Sequence, residues 1–143
     1  MQDTLDFLRS VTSNIVVAQG DYDEMTSWPE TPALTLGDFK VGVCHGHQIV
    51  PTDDKRSIAE LQRRLGVDIL VKGNAAEFGA YRHEGCIVIH PGSATGTGLH
   101  GRKRHKASFA LMDIKGSKAI VYVYQLDNNN EVKVEKIEFS KGQ

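Results

Sequence analysis

Apolar positions follow two patterns in the first part of the chain, a helical spacing and short unbroken runs. Leu5, Leu8 and Val11 follow the helical spacing and predict an opening helix. The apolar run at residues 14–18 is rich in β-branched side chains, which predicts a buried strand. This strand leads into an acidic loop at residues 20–24.

A β-hairpin and a βαβ unit are predicted in the middle of the chain. Residues 33–36 and 39–44 flank a Gly-Asp sequence, which is a hairpin signal. A helical pattern then runs from Asp54 to Gly66, and the glycine stands where a helix C-cap belongs. Residues 68–71 form another short apolar strand. Because a helix separates this strand from the preceding one, the two strands should be parallel.

Antiparallel strands are predicted for the remainder of the chain. Residues 78–82 and 86–90 flank a Glu-Gly turn and indicate a second hairpin. The last third adds three strands, at residues 109–112, 119–126 and 132–139. The apolar alternation changes phase within the final strand, so we expect a one-residue bulge near Glu135 or Lys136. The predicted fold class is therefore α/β, with helices outside a mixed sheet and an antiparallel C-terminal part.

Composition narrows the possibilities mainly by exclusion. The 143 residues are enough for one domain, residues 1–143, with a sizeable core. They carry 17 Lys+Arg against 18 Asp+Glu, and this balance excludes a general attraction to nucleic acid or to an anionic membrane. No apolar run approaches the roughly 20 residues that span a bilayer, and the N-terminus has no secretory signal pattern. Cys44 and Cys86 sit in unrelated motifs, which favours a reduced, cytosolic protein.

Three loops carry the candidate chemistry, and each directly follows a short apolar strand. They read Gly-Asp-Tyr-Asp-Glu, His-Gly-His-Gln and Gly-Asn-Ala-Ala. Because ligands of open α/β sheets bind beyond the carboxyl ends of the strands, Asp21, His45 and Asn74 are candidate ligands for Mn, Fe or Zn. Each signal is weak alone, since a Gly-Asp pair is usually a turn and a hydrogen-bonded histidine is commoner than a metal ligand.

Together with a fourth motif, these loops form a series in a characteristic order. The fourth motif is His-Pro-Gly-Ser-Ala-Thr-Gly at residues 90–96, and the series resembles the calcineurin-like metallophosphoesterases. Within that fold the chain is most similar to the small-subunit family of the retromer coat, over residues 5–139. The resemblance is most specific at residues 40–51, 67–70 and 91–96. It implies a metallophosphoesterase-like mixed-sheet sandwich.

The same resemblance implies that the first strand of the family fold is missing from this sequence. Either the sheet has rearranged, or the sequence is an incomplete version of a longer protein. We favour incompleteness, because losing a central apolar strand would expose strand edges and remove many buried side chains. A truncated product that does not fold alone is a third interpretation.

The departures from the family pattern decide the expected chemistry. The resemblance implies metal-ligand roles for Asp21 and His45, whereas Asn74 and Ala76 replace two histidines and two further ligand loops are absent. Two strong ligands and one amide cannot hold two divalent ions about 3.5–4 Å apart. We therefore expect no catalytic residues and no cofactor, and only a vestigial metal set with weak residual binding of a divalent ion. The alternative is a metal-dependent phosphodiesterase with a degenerate metal site.

What the resemblance implies instead is a non-catalytic scaffold subunit of retromer, in retrieval of cargo from endosomes to the Golgi or plasma membrane. The C-terminal solenoid of the large subunit, vacuolar protein sorting-associated protein 35, would pack over the former metal pocket, with Val50 and Pro51 at that edge. A second apolar patch for regulatory proteins carries over onto Leu111 and Val134. All four could equally be core residues. The implied location is cytoplasmic and peripheral on endosomal membranes.

A basic block at residues 102–106 is a further departure from the family. It begins with Arg102 and ends with Lys106. Such a block is usually a solvated loop. The more specific hypothesis is contact with an acidic partner or with anionic endosomal lipid, which would bring this protein to a membrane only weakly.

Overall fold

The computed structural model describes residues 2–20, 28–46, 49, 54–73, 78–96 and 106–142. Within these residues the chain forms two helices and eight strands. In chain order they are α1 (Gln2–Val11), β1 (Ala33–Leu36), β2 (Phe39–Cys44), α2 (Lys55–Leu65), β3 (Ile69–Lys72), β4 (Gly79–His83), β5 (Cys86–His90), β6 (Ser108–Lys115), β7 (Lys118–Leu126) and β8 (Val132–Ser140). Neither helix is long and apolar enough to cross a membrane.

A five-stranded mixed sheet contains the first five strands, in the order β1-β2-β3-β5-β4. Strands β2, β3 and β5 are parallel to one another, and β1 and β4 pair antiparallel at the two edges. Both predicted hairpins and the predicted βαβ unit are therefore confirmed. Because the three parallel strands run the same way, their carboxyl ends lie together at one edge of the sheet.

Helix α2 packs on one face of this mixed sheet, and local signals define both of its ends. The Asp54 carboxylate accepts a hydrogen bond from the Ser57 N–H at 3.0 Å and caps the N-terminus. Gly66 ends the helix in the left-handed region, with a φ of 66°. Apolar side chains of the helix, the sheet and the segments that join them form one core cluster, which contains Cys44, Ile49, Ile58, Leu61, Val67, Leu70 and Val88.

The last three strands form an antiparallel sheet in the order β6-β7-β8, which covers the other face of the mixed sheet. The second core cluster lies between the two sheets and contains Phe39, Val41, Ile69, Ile87, Ile89, Ala119, Val121 and Val123. The layers are therefore α2, the mixed sheet and the antiparallel sheet, which confirms the predicted fold class.

The predicted bulge in the final strand is wrong. Strand β8 pairs residue for residue with β7 from Val132 to Ser140, without interruption. Ile137 and Phe139 pair with the buried Val121 and Ala119 and face the core, whereas Val132 and Val134 face outward. The change of phase that suggested a bulge arises because this strand carries apolar side chains on both of its faces.

The predicted strand at residues 14–18 is also absent. These residues lie outside every strand of the described chain, and their side chains are half-buried or exposed. The neighbouring Gln19 donates its backbone N–H to the carbonyl of Pro29 at 3.0 Å. A β-branched run favours extended backbone, but a strand requires a neighbouring strand to share its ladder. No strand pairs with this run in the part of the chain that the structure describes.

Candidate functional site

The carboxyl edge of the mixed sheet is where two of the three predicted ligand loops begin, one after β2 and one after β3. In the parallel pairing of β2 with β3, Cys44 lies beside Lys72. In the pairing of β3 with β5, Val71 lies beside Ile89, so the next residue of β5, His90, continues the same row. Residues in register on neighbouring strands share a face of the sheet. A thiol, an amine and an imidazole therefore follow one another across this edge.

His45 lies at this edge, as the sequence predicted, and the exit of β3 packs against it. The Gly73 N–H donates to the carbonyl of Cys44 at 2.9 Å. A Cβ atom at position 73 would lie 2.9 Å from the carbonyl oxygen of His45, closer than real Cβ contacts. Only glycine therefore allows the loops after β2 and β3 to approach each other this closely.

The Cys44 thiol is buried and chemically quiet. Burial raises its pKa above the ordinary value, while the positive charge of Lys72 and a hydrogen bond from the Gly46 backbone act in the opposite direction. The net shift is upward, so the sulfur stays a neutral thiol at neutral pH. Because the thiolate is the nucleophilic form of cysteine, Cys44 is a poor candidate for nucleophilic catalysis.

A metal centre cannot be assembled from the residues that the structure describes. Among them, no group of three or more His, Cys, Asp or Glu residues gathers closely enough to hold an ion. His45 is the one predicted donor in this part of the chain. Asp21 and Asn74 lie outside the described residues, as do Val50 and Pro51 at the predicted partner edge. The basic block at residues 102–106 also lies outside them, except for its exposed last residue, Lys106.

A second candidate site lies on the antiparallel sheet, on the face turned away from the core. Leu111 and Val134 are both on this face, with exposed fractions of 54% and 53%. They are therefore surface residues and not core residues. The outer apolar face, as we name it, consists of Phe109, Leu111, Tyr122, Tyr124, Val132 and Val134.

Sequence reasoning missed four of the six residues of the outer apolar face. The aromatic rings of Phe109 and Tyr124 stack, with centroids 4.9 Å apart, and the register places Val134 on the other side of Tyr124. A signal for them was present, since β6 and β8 carry apolar residues in both alternation phases. A strand with one buried and one solvated face needs apolar residues in only one phase.

Comparison with known proteins shows the family to which this chain belongs. The calcineurin-like phosphoesterase superfamily domain matches residues 2–117 of this chain. This match, together with the mixed sheet and its loops at one carboxyl edge, defines the class of protein as the calcineurin-like phosphoesterase superfamily.

The comparison is more specific within that class. Vacuolar protein sorting-associated protein 29 (Vps29) of Schizosaccharomyces pombe is 36% identical over 140 residues, covering 95% of this chain and 74% of that protein. The chain belongs to the Vps29 family. The solved structure of Entamoeba histolytica Vps29 complexed with zinc is 36% identical, with a TM-score of 0.89, covering 96% of this chain and 76% of that one. Chaetomium thermophilum Vps29 complexed with the cyclic peptide RT-D3 is 28% identical, with a TM-score of 0.84, covering 100% and 76% respectively.

Proposed function

We propose that this protein is a non-catalytic scaffold subunit of the retromer coat, in retrieval of cargo from endosomes to the Golgi or plasma membrane. Membership of the Vps29 family supports the retromer role. The observation that carries the scaffold role is the outer apolar face, because contiguous exposed apolar surface is typical of a protein–protein interface. The protein would act in the cytoplasm, peripherally on endosomal membranes.

The outer apolar face has the composition of a docking surface. Its apolar side chains lie in adjacent register rows, so they form one patch and not scattered positions. Charged residues border the patch at one end, where Lys136 and Glu138 form an ion pair at 3.0 Å and Asp113 and Lys115 approach to 3.7 Å. An apolar centre with a charged rim is the usual anatomy of an interface. A partner that presents apolar side chains would match it.

Two separate partner surfaces follow from this proposal. The C-terminal solenoid of the large retromer subunit, vacuolar protein sorting-associated protein 35, contacts the edge that includes Val50 and Pro51. Regulatory proteins contact the outer apolar face through Leu111 and Val134. The cyclic peptide bound by Chaetomium thermophilum Vps29 supports peptide recognition within the family. Because the two surfaces draw on different segments of the chain, a variant in one should leave the other partner bound.

The proposed contact with the large subunit is tested by Val50→Asp. A carboxylate buried without a partner at an interface costs several kcal/mol, so we expect the affinity to fall by about 100-fold or more. Calorimetric titration of purified protein with the C-terminal solenoid measures it. Val134→Asp is the matched control and should bind this solenoid as tightly as the wild type. Equal affinities for the wild type and Val50→Asp would contradict this assignment of the edge.

The proposed lack of catalysis is tested with a generic phosphodiester in the presence of Mn²⁺ or Zn²⁺. The donor set supports this part of the proposal, because Asn74 and Ala76 stand where the resemblance implies two histidine ligands. We expect hydrolysis no faster than that of a heat-denatured sample. Metal-dependent turnover that disappears in His45→Ala would contradict the scaffold role and favour the phosphodiesterase alternative.

A further inference from the structure

Lys72 is a fully buried lysine at the carboxyl end of β3. Its exposed fraction is 0%, although lysine is almost never fully buried unless it is paired. The residue does take part in a polar or electrostatic interaction within the protein. A charged group can stay buried only with such compensation. The fold therefore holds this amine in a defined place.

That place is the edge at which the metal ligands of the fold family would converge. Lys72 pairs in register with Cys44, whose chain continues directly into His45. The next residue, Gly73, approaches the His45 carbonyl so closely that no side chain fits between them. Cys44 is itself buried in the cluster under α2, so Lys72 lies beside a buried residue at this edge and not at the open surface.

The fold family implies a divalent metal at this edge, and the residues that the structure describes there do not fit one. A protonated lysine has three hydrogen-bond donors and no lone pair, so it cannot be a ligand. Its charge also repels a divalent cation, and this repulsion is stronger inside a protein than in water. Entamoeba histolytica Vps29 has been solved in complex with zinc, so zinc binding is the property in which this chain can be compared with a related protein.

We propose that the positive charge of Lys72 replaces the charge of the metal ion. This charge prevents Zn²⁺ and Mn²⁺ from binding at the carboxyl edge of the mixed sheet. The proposal deepens the non-catalytic part of the proposed function and rests on it. It assigns the loss of metal binding to a charge built into the core as well as to missing ligands. The scaffold role of the two partner surfaces does not enter it.

The test is a calorimetric zinc titration of the full chain, with metal content measured by mass spectrometry after dialysis. We expect Lys72→Met to bind zinc at least about tenfold more tightly than the wild type, because the substitution removes the repelling charge. Lys118→Met removes the same charge from an exposed position and should match the wild type. If Lys72→Met fails to fold, as circular dichroism will show, Lys72→Gln takes its place, since it keeps the polarity and most of the length.

Three results would overturn the proposal. The first is one zinc ion per wild-type chain, bound as tightly as in the variant. The second is an equal gain in Lys72→Arg, which keeps the charge. The third is a loss of zinc in Lys72→Met, which would make the amine a ligand. The test of partner binding is independent of the zinc test. The Val50→Asp experiment involves no metal, so its failure would leave the zinc result unchanged.

Discussion

Replacing Phe39 with alanine is expected to lower the free energy of unfolding by about 3–5 kcal/mol. Phe39 is fully buried in the cluster between the two sheets. It also lines a cavity of about 210 Å³ that is bordered by Asp68, Arg82 and Lys141. Removing the ring would enlarge this cavity, and the void it leaves adds to the cost of losing the buried apolar area. Urea unfolding measures the loss as a lower midpoint at an unchanged slope.

Phe109→Ala is the matched control, since it removes the same side chain from the outer apolar face. Phe109 is 58% exposed and its ring stacks on that of Tyr124, so the expected loss is about 1 kcal/mol or less. Equal losses for the two variants would mean that Phe109 supports the fold as much as Phe39 does. The outer apolar face would then be a structural surface, and its assignment as a docking surface would be withdrawn.

Val134→Asp is expected to remove the proposed regulatory partners while the proposed contact with the large retromer subunit is kept. A charge placed in the apolar centre of an interface must be desolvated without a partner, so we expect binding to fall by about 100-fold or more. The experiment expresses tagged wild-type and variant protein in cells that lack their own Vps29. Quantitative mass spectrometry then compares the proteins that co-purify with each.

The control for this experiment is Val16→Asp, which makes the same substitution at a similar exposure on another part of the surface. Val16 is 49% exposed and Val134 is 53% exposed. The control should keep every partner. If Val134→Asp and the wild type retain the same proteins in the same amounts, the outer apolar face does not recruit regulators. Leu111→Asp repeats the test from the neighbouring strand of the same patch.

The two faces of the antiparallel sheet have different physical roles, which is why these variants should differ so strongly. The inner face buries Ala119, Val121 and Val123 against the mixed sheet and supplies stability. The outer face exposes large apolar side chains, which are expected to add little to folding because they stay in contact with water. Its value lies in the apolar area that a partner would remove from water. One sheet thus serves both the core and the proposed docking surface.

The sequence by itself determined the elements that local signals encode. Helix α2 was predictable because Asp54 can cap its start and Gly66 can adopt the left-handed region at its end. The hairpins were predictable because their turns contain glycines with positive φ, Gly37 and Gly85. The place of His45 after β2 also followed from the strand that precedes it.

Only the tertiary structure decided which faces are covered. Residues 14–18 read as a strand, yet a strand depends on a partner that no local pattern encodes. The phase change in β8 read as a bulge, and pairing with β7 showed instead that apolar residues occupy both faces. The exposure of Leu111 and the burial of Lys72 were equally hidden in the sequence. In each case the deciding quantity is a contact with a residue distant in the chain, whereas caps and turns depend on neighbours within a few residues.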